Sequence, residues 1–209
     1  NFCVNELGGI FLDIVKDRLY TTGTDSHARR SCQTSMYHII NILVRLVSPI
    51  LSFTAEEIWQ TFEPLKKQEK SVFLSRFINE INTLNQDLTN EEWKVVFKIK
   101  DLVNQSIESA RNEGFIKGSL DTIVKITCPA DTYKILNKFG SELHFIFISS
   151  DTILEEGKSL EINITKSEHK KCTRCWHRCS TVSKSKNHPE LCMRCEENIE
   201  TDGEVRKFV

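Results

Sequence analysis

At 209 residues, with 39% hydrophobic and 27% charged side chains and a formal net charge of −1, the chain can hold one ordinary domain and a small companion. This balance excludes a disordered polymer, and the longest apolar stretch, residues 38–51, is interrupted by Asn41, Arg45 and Pro49, which excludes a membrane-spanning helix there. The first residue is Asn1 and no basic, apolar leader follows it, so the sequence reads as a fragment or a processed piece.

Leu7, Ile10, Phe11, Ile14, Val15 and Leu19 recur at helical spacing and predict one amphipathic helix closed by Thr21-Thr22-Gly23-Thr24. A second, long helix is expected from a cap at Asp25 or Ser26 through Met36, Ile39, Ile40, Leu43, Val44 and Val47, until Ser48-Pro49 stops it. Thr54-Ala55-Glu56-Glu57 has the form of a capping box, in which hydroxyl and carboxylate reciprocally satisfy free amide donors, with Pro64 just past the helix it would open. Thr89-Asn90-Glu91-Glu92 repeats the pattern before a helix that carries Trp93, Val96, Phe97, Val103, Ile107 and Ala110 and ends at Gly114. Four apolar stripes joined by short connections predict an antiparallel helical bundle over residues 1–113. Trp59 and Trp93 are expected to anchor its core rather than to stack on bases. His27, Arg29, Arg30 and Arg45 are either solvated helix charges or a nucleic-acid contact face.

After Gly118 the apolar period changes. Residues 120–128, 144–149 and 160–165 predict three strands, and 131–139 a short helix between the first two, giving a small βαββ unit over 114–168. The expected fold class is therefore mainly α with a small α+β part, followed by a separate module over 169–209.

That last module carries the most specific chemical pattern in the chain. Two Cys-x-x-Cys pairs, Cys172/Cys175 and Cys192/Cys195, stand sixteen residues apart. Such knuckles present four thiolates in a tetrahedron, the arrangement of a structural zinc with no open position for water or substrate. Binding the metal would fold a segment too short and polar to fold alone. His169, His177, Cys179 and His188 are surplus candidates that rank lower because none forms a further two-residue knuckle, and Cys3, Cys32 and Cys128 read as small buried hydrophobes. Reduced thiols place the chain in the cytoplasm. Residues 166–188 also hold seven Lys or Arg side chains against one acid, Glu168. With Trp176 directly after the second cysteine, this is the combination expected for phosphate attraction plus base stacking; the alternative is a solvated lysine-rich loop with Trp176 covering the metal site.

The chain resembles, nearly end to end, the C-terminal part of the bacterial isoleucyl-tRNA synthetase family. The blocks that carry the likeness are Phe11-Leu12-Asp13-Ile14-Val15-Lys16-Asp17-Arg18-Leu19-Tyr20, Ala28-Arg29-Arg30-Ser31-Cys32-Gln33-Thr34 and Pro49-Ile50-Leu51-Ser52-Phe53-Thr54-Ala55-Glu56-Glu57-Ile58-Trp59. Leucyl and valyl synthetases share the helical part. The tail separates them: Cys172-Thr173-Arg174-Cys175-Trp176-His177, Pro189-Glu190-Leu191-Cys192-Met193-Arg194-Cys195 and Gly203-Glu204-Val205-Arg206-Lys207-Phe208 are similar to the zinc-binding end of the isoleucyl family.

The resemblance implies an anticodon-binding helical domain, incomplete at its N-terminus, and a zinc-binding module that contacts tRNA. The parent would be a monomeric class I ligase that activates isoleucine with ATP and transfers it to its tRNA. The family's two nucleotide-handling signatures, His-Ile-Gly-His and Lys-Met-Ser-Lys-Ser, are absent from this sequence, as is the editing insertion, so no catalytic residue is expected here. The expected zinc ligands are Cys172, Cys175, Cys192 and Cys195, and the expected RNA contacts are Arg29, Arg30, Lys171, Arg174, Trp176 and Arg178. Two rivals remain: a formamidopyrimidine-type DNA glycosylase, whose zinc finger has similar knuckle spacing but which needs an N-terminal proline where this chain has Asn1, and a free-standing RNA-binding zinc module.

Overall fold

The computed structural model describes residues 1–66, 69–78 and 87–208; the part of the expected bundle at 79–86 lies outside them. The chain divides into two compact units, one formed by Asn1–Arg29 with Asp87–Val209 and the other by Arg30–Gln86. Among the described residues no helix is long and apolar enough to cross a membrane.

The first unit opens on a wide π-type helix, Cys3–Leu12, with no buried residue, followed by α1 (Lys16–Thr21). The single amphipathic helix expected from Leu7 to Leu19 is thus two pieces joined at Val15. Adjacent Gly8 and Gly9 weaken the regular helix where the wide one forms, since each glycine costs about 1 kcal/mol in a helix interior. The long helix is α2 (His27–Val47), and the Ser26 hydroxyl accepts from the Arg29 amide at 3.3 Å, capping its start as expected.

The core of this unit lies between α5 (Asn90–Asn112) and a three-stranded sheet. Thr89 and Glu92 form a complete capping box at the start of α5, and the helix closes at Gly114, which adopts φ +75°. α5 was expected as the fourth bundle helix. It buries Val96, Ile99, Val103 and Ile107 in a core shared with Val124 and Ile126 of β1 (Thr122–Cys128) and with Leu136 and Phe147. Trp93 packs at the edge of this core, stacked on Phe97 with ring centres 5.5 Å apart. Lys100 is fully buried on the same helix; its Nζ donates to the Ile146 carbonyl at 2.8 Å, and desolvation pushes its pKa down.

β1 is the central strand, with β2 (Asp151–Glu156) parallel on one side and β3 (Glu161–Lys166) antiparallel on the other. The parallel pair is joined by α6 (Ala130–Asn137) and α7 (Leu143–Phe147). The strand expected at 144–149 is instead α7 and its left-handed C-cap Ile148, and the second strand lies just beyond it. Leu143, Phe145, Ile146 and Phe147 are all buried, and a short element buried on every side gives a continuous apolar run that periodicity cannot separate from a strand.

In the second unit, the later turns of α2, α3 (Ser52–Thr61), α4 (Glu63–Lys66) and a 3-10 turn at Val72–Leu74 enclose Val44, Ala55, Trp59, Leu65 and Val72. Trp59 is a core anchor: it is fully buried, its Nε1 donates to the Glu69 carbonyl at 2.8 Å, and the Arg45 guanidinium lies 4.7 Å from its ring centre. The capping box expected at Thr54 does not form. α3 starts at Ser52 with Leu51 as cap, and the Glu56 carboxylate accepts instead from Gln60, the Ser71 hydroxyl and the Val72 amide.

Candidate zinc centre and nucleic-acid interface

Each cysteine knuckle is built by local hydrogen bonding. In the first, the Trp176 amide donates to the Cys172 carbonyl and the Cys172 amide to the His177 carbonyl, at 3.0 and 2.9 Å, while Lys171 and Arg178 pair as an antiparallel bridge. The turn requires Trp176 at φ +67°, a conformation that aims its ring away from the buried sulfurs. In the second, Cys192 caps α8 (Met193–Glu200) and Cys195 lies in its first turn, so the helix dipole favours thiolates there.

The four Sγ atoms all lie within 4.8 Å of one another, and every one of these cysteines is buried. Cys175 and Cys192 sulfurs are 3.7 Å apart. Tetrahedral zinc with Zn–S bonds of about 2.3 Å requires sulfurs about 3.8 Å apart, so the cluster already has the spacing of a closed structural site. The Cys192 amide donates to the Cys172 sulfur at 3.4 Å, the kind of outer hydrogen bond that steadies a metal-bound thiolate. The donor set fits one structural zinc.

The surplus candidates fall outside this group of four. His177 is buried, with Nδ1 3.2 Å from the Cys175 carbonyl oxygen and 3.8 Å from Asp17 Oδ2. His188 faces Glu200 at 3.2 Å, and His169 is exposed. Cys179 is half-buried and packs against the cluster. Cys32 and Cys128 are buried as expected, but Cys3 is exposed on the wide helix.

Of the expected RNA contacts, Arg29 and Arg174 line one polar groove of about 630 Å³ with Thr22, Ser26 and His27. Arg174, with one Nη 3.3 Å from the Thr21 carbonyl, also borders a more apolar cavity of about 470 Å³ whose rim includes Tyr20 and Trp176. Trp176 is 59% exposed, so it does not cover the metal site, and the Lys171 ammonium lies 5.3 Å from its ring centre. Arg30 is exposed on α2 and belongs to the other compact unit. Arg178 is committed inside the fold: its Nε donates to Asp121 Oδ1 at 2.7 Å, its amide to the Ser150 hydroxyl and an Nη to the His169 carbonyl. Sequence reasoning did not single out Tyr20, which is 73% exposed beside Trp176; its place in a helix-ending block gave no sign of this.

Nor did it find the ionic cluster beside the zinc module. Asp17 of α1 meets Arg194 and Arg206, and Glu204 accepts from both arginines at 3.0 and 2.9 Å. Both guanidinium groups also stack on Phe145, at 5.0 and 3.8 Å from its ring centre. Burial alone would raise the Asp17 carboxyl, but the hydrogen bonds and charge of Arg194, with Arg206 beside it, outweigh that and hold it at about 2. No local pattern links these residues in sequence.

Two family models match this chain. Residues 1–126 match the anticodon-binding domain of tRNA ligase, and residues 170–198 match a zinc finger found in FPG and IleRS. Among curated proteins, an isoleucine--tRNA ligase of Dichelobacter nodosus is 43% identical over 209 residues, covering 100% of this chain and 22% of its own length. Those of Pseudoalteromonas atlantica and Pseudomonas aeruginosa are 42% and 43% identical, covering 99% and 100% of this chain and 23% of their own lengths. The chain thus spans under a quarter of the length of the relatives it matches. The zinc-finger description covers both glycosylases and synthetases, whereas the match over 1–126 is to tRNA ligases.

Proposed function

The chain belongs to the anticodon-binding domain family of tRNA ligases, and from that premise we propose that it is the tRNA-binding part of an isoleucine--tRNA ligase. The observation that carries this reading is that a family match over 1–126 and a four-thiol centre typical of the matched zinc finger occur together on one chain. In this reading Cys172, Cys175, Cys192 and Cys195 ligate the zinc. Arg29, Lys171 and Arg174 attract RNA phosphates, and the exposed Trp176 ring is a platform for an unstacked base. Arg30 is proposed as a further phosphate contact, and the engagement of Arg178 with Asp121 makes its contribution mainly one of holding the knuckle against the sheet.

The whole enzyme would act in the cytoplasm as a monomer, activating isoleucine with ATP and joining it to tRNA, with the reacting groups supplied elsewhere. Contacts made here would orient the tRNA, and binding energy from such remote contacts can be used in the transition state.

The test is filter binding of an isoleucine tRNA against a non-cognate tRNA and duplex DNA, before and after chelation, with zinc measured by mass spectrometry. One zinc per chain and weak tRNA binding that falls with salt and with Trp176→Ala or Arg174→Ala are expected. Preference for duplex DNA, or isoleucine-dependent ATP–pyrophosphate exchange by this chain alone, would overturn the reading.

A further inference from the structure

A fifth thiol lies against the four that form the candidate zinc centre. Cys179 is half-buried, packs on the cluster of Cys172, Cys175, Cys192 and Cys195, and is in hydrogen-bonding contact with the sulfurs of Cys175 and Cys192. It stands four residues after Cys175, in the loop that leaves the first knuckle, and its amide donates to the Lys170 carbonyl at 3.1 Å, so the backbone keeps the thiol beside the centre. A four-coordinate zinc is complete without it. The other cysteines outside the four, Cys3, Cys32 and Cys128, do not belong to this cluster.

We propose that Cys179 is a resolving thiol that converts the zinc centre into a peroxide-responsive site by forming a reversible disulfide with Cys175. The oxidant is a hydroperoxide, with hydrogen peroxide as the simplest case. The Cys175 thiolate attacks one peroxide oxygen, the O–O bond breaks, and Cys175 becomes a sulfenic acid while hydroxide leaves. That hydroxide takes the Cys179 proton and becomes water. The Cys179 sulfur then attacks the Cys175 sulfur, the S–O bond breaks, and a second hydroxide departs as the S–S bond forms. Across the sequence the two sulfurs lose two electrons and the peroxide gains them; one thiolate, one thiol and one peroxide give one disulfide, one water and one hydroxide. The metal site is left with three thiolate donors, and zinc is released. Without a resolving thiol in contact, a sulfenic acid at this position is open to further, irreversible oxidation.

The inference rests on the four cysteines holding zinc, which metal content measured before oxidation checks on its own. The zinc-loaded chain is treated with substoichiometric hydrogen peroxide, released zinc is read with a chromophoric chelator, and disulfides are mapped by differential alkylation and mass spectrometry. A Cys175–Cys179 disulfide that tracks zinc release, with recovery of bound zinc after a thiol reductant, is the expected result. Cys179→Ser should bind zinc as the parent does and lose that reversible recovery, accumulating sulfinic acid instead. The idea fails if Cys179 remains a free thiol in the oxidised parent while zinc leaves, because the mapping needs no variant. It also fails if Cys179→Ser releases and regains zinc as the parent does.

Discussion

Asp17 and Arg194, 177 residues apart in sequence, form a two-pronged ion pair in which the guanidinium donates to both carboxylate oxygens, at 2.7 and 2.9 Å. The pair fastens α1 to the helix of the second cysteine knuckle, and Arg206 and Glu204 complete its charge balance. Removing one member of a buried pair leaves the other charge uncompensated, so Asp17→Asn should destabilise the chain by on the order of 3 kcal/mol in urea unfolding. An effect below about 0.5 kcal/mol would place the cluster with ordinary surface pairs.

The depressed pKa of Asp17 gives this contribution a definite pH window. An unfolded aspartate titrates near 3.9 and the folded one at about 2, so the unfolded chain binds the proton more readily between those values. Stability from this group is fully present above roughly pH 4 and is lost as pH falls toward about 2. Thiolate protonation also releases zinc in acid, but it does so in parent and variant alike. The stability difference between parent and Asp17→Asn should therefore shrink across the window, and a constant difference would assign the effect to packing.

Zinc removal should act locally. Within 170–198 the only regular helix among the described residues is the start of α8, so Cys172→Ser or Cys192→Ser should release the metal and disorder the tail with little loss of far-ultraviolet helical signal. Loss of most of that signal would show that the α5–sheet core depends on the metal.

Two glycines separate backbone strain from crowding. Gly114 has φ +75° with open space around it, whereas Gly203 has φ +82° and an added Cβ would lie 2.7 Å from Asn198 Oδ1. Gly114→Ala should cost about 1 kcal/mol, and Gly203→Ala more, because the Asn198 side chain that receives the Glu204 amide must also move. Thermal melts of the two variants provide the comparison, with equal shifts arguing against crowding at Gly203.

The cap of α5 is testable in isolation. Thr89→Ala removes the hydroxyl that accepts from the Glu92 amide at 3.2 Å and should cost about 1 kcal/mol, detectable as faster hydrogen exchange in the first turn of the helix.

The same four-residue pattern, Thr-x-Glu-Glu, occurs at Thr89 and at Thr54, and only the first is a capping box. Near Thr54, a residue from a distant turn offers Glu56 a better partner, and no local reading can weigh an interaction fifteen residues away. The cysteine knuckles were legible because two-residue spacing encodes the turn itself. The helical run at 144–149 was not, because complete burial erases the alternation that separates strand from helix. The ionic cluster was invisible for a different reason: its members signal only solvated charge until the fold brings them together.

The unit that holds the zinc module is discontinuous, with Asp17 on its first segment and Arg206 at the end of its second, 189 residues later. Closing so long a loop carries an entropy cost that grows with the logarithm of its length, and contacts of such separation form late. During synthesis, residues 1–29 must therefore wait on the ribosome for a partner made almost last, while the intervening 30–86 can already collapse around Trp59. The N-terminal segment is thus a stretch whose exposure to chaperones and proteases is timed by translation of the tail.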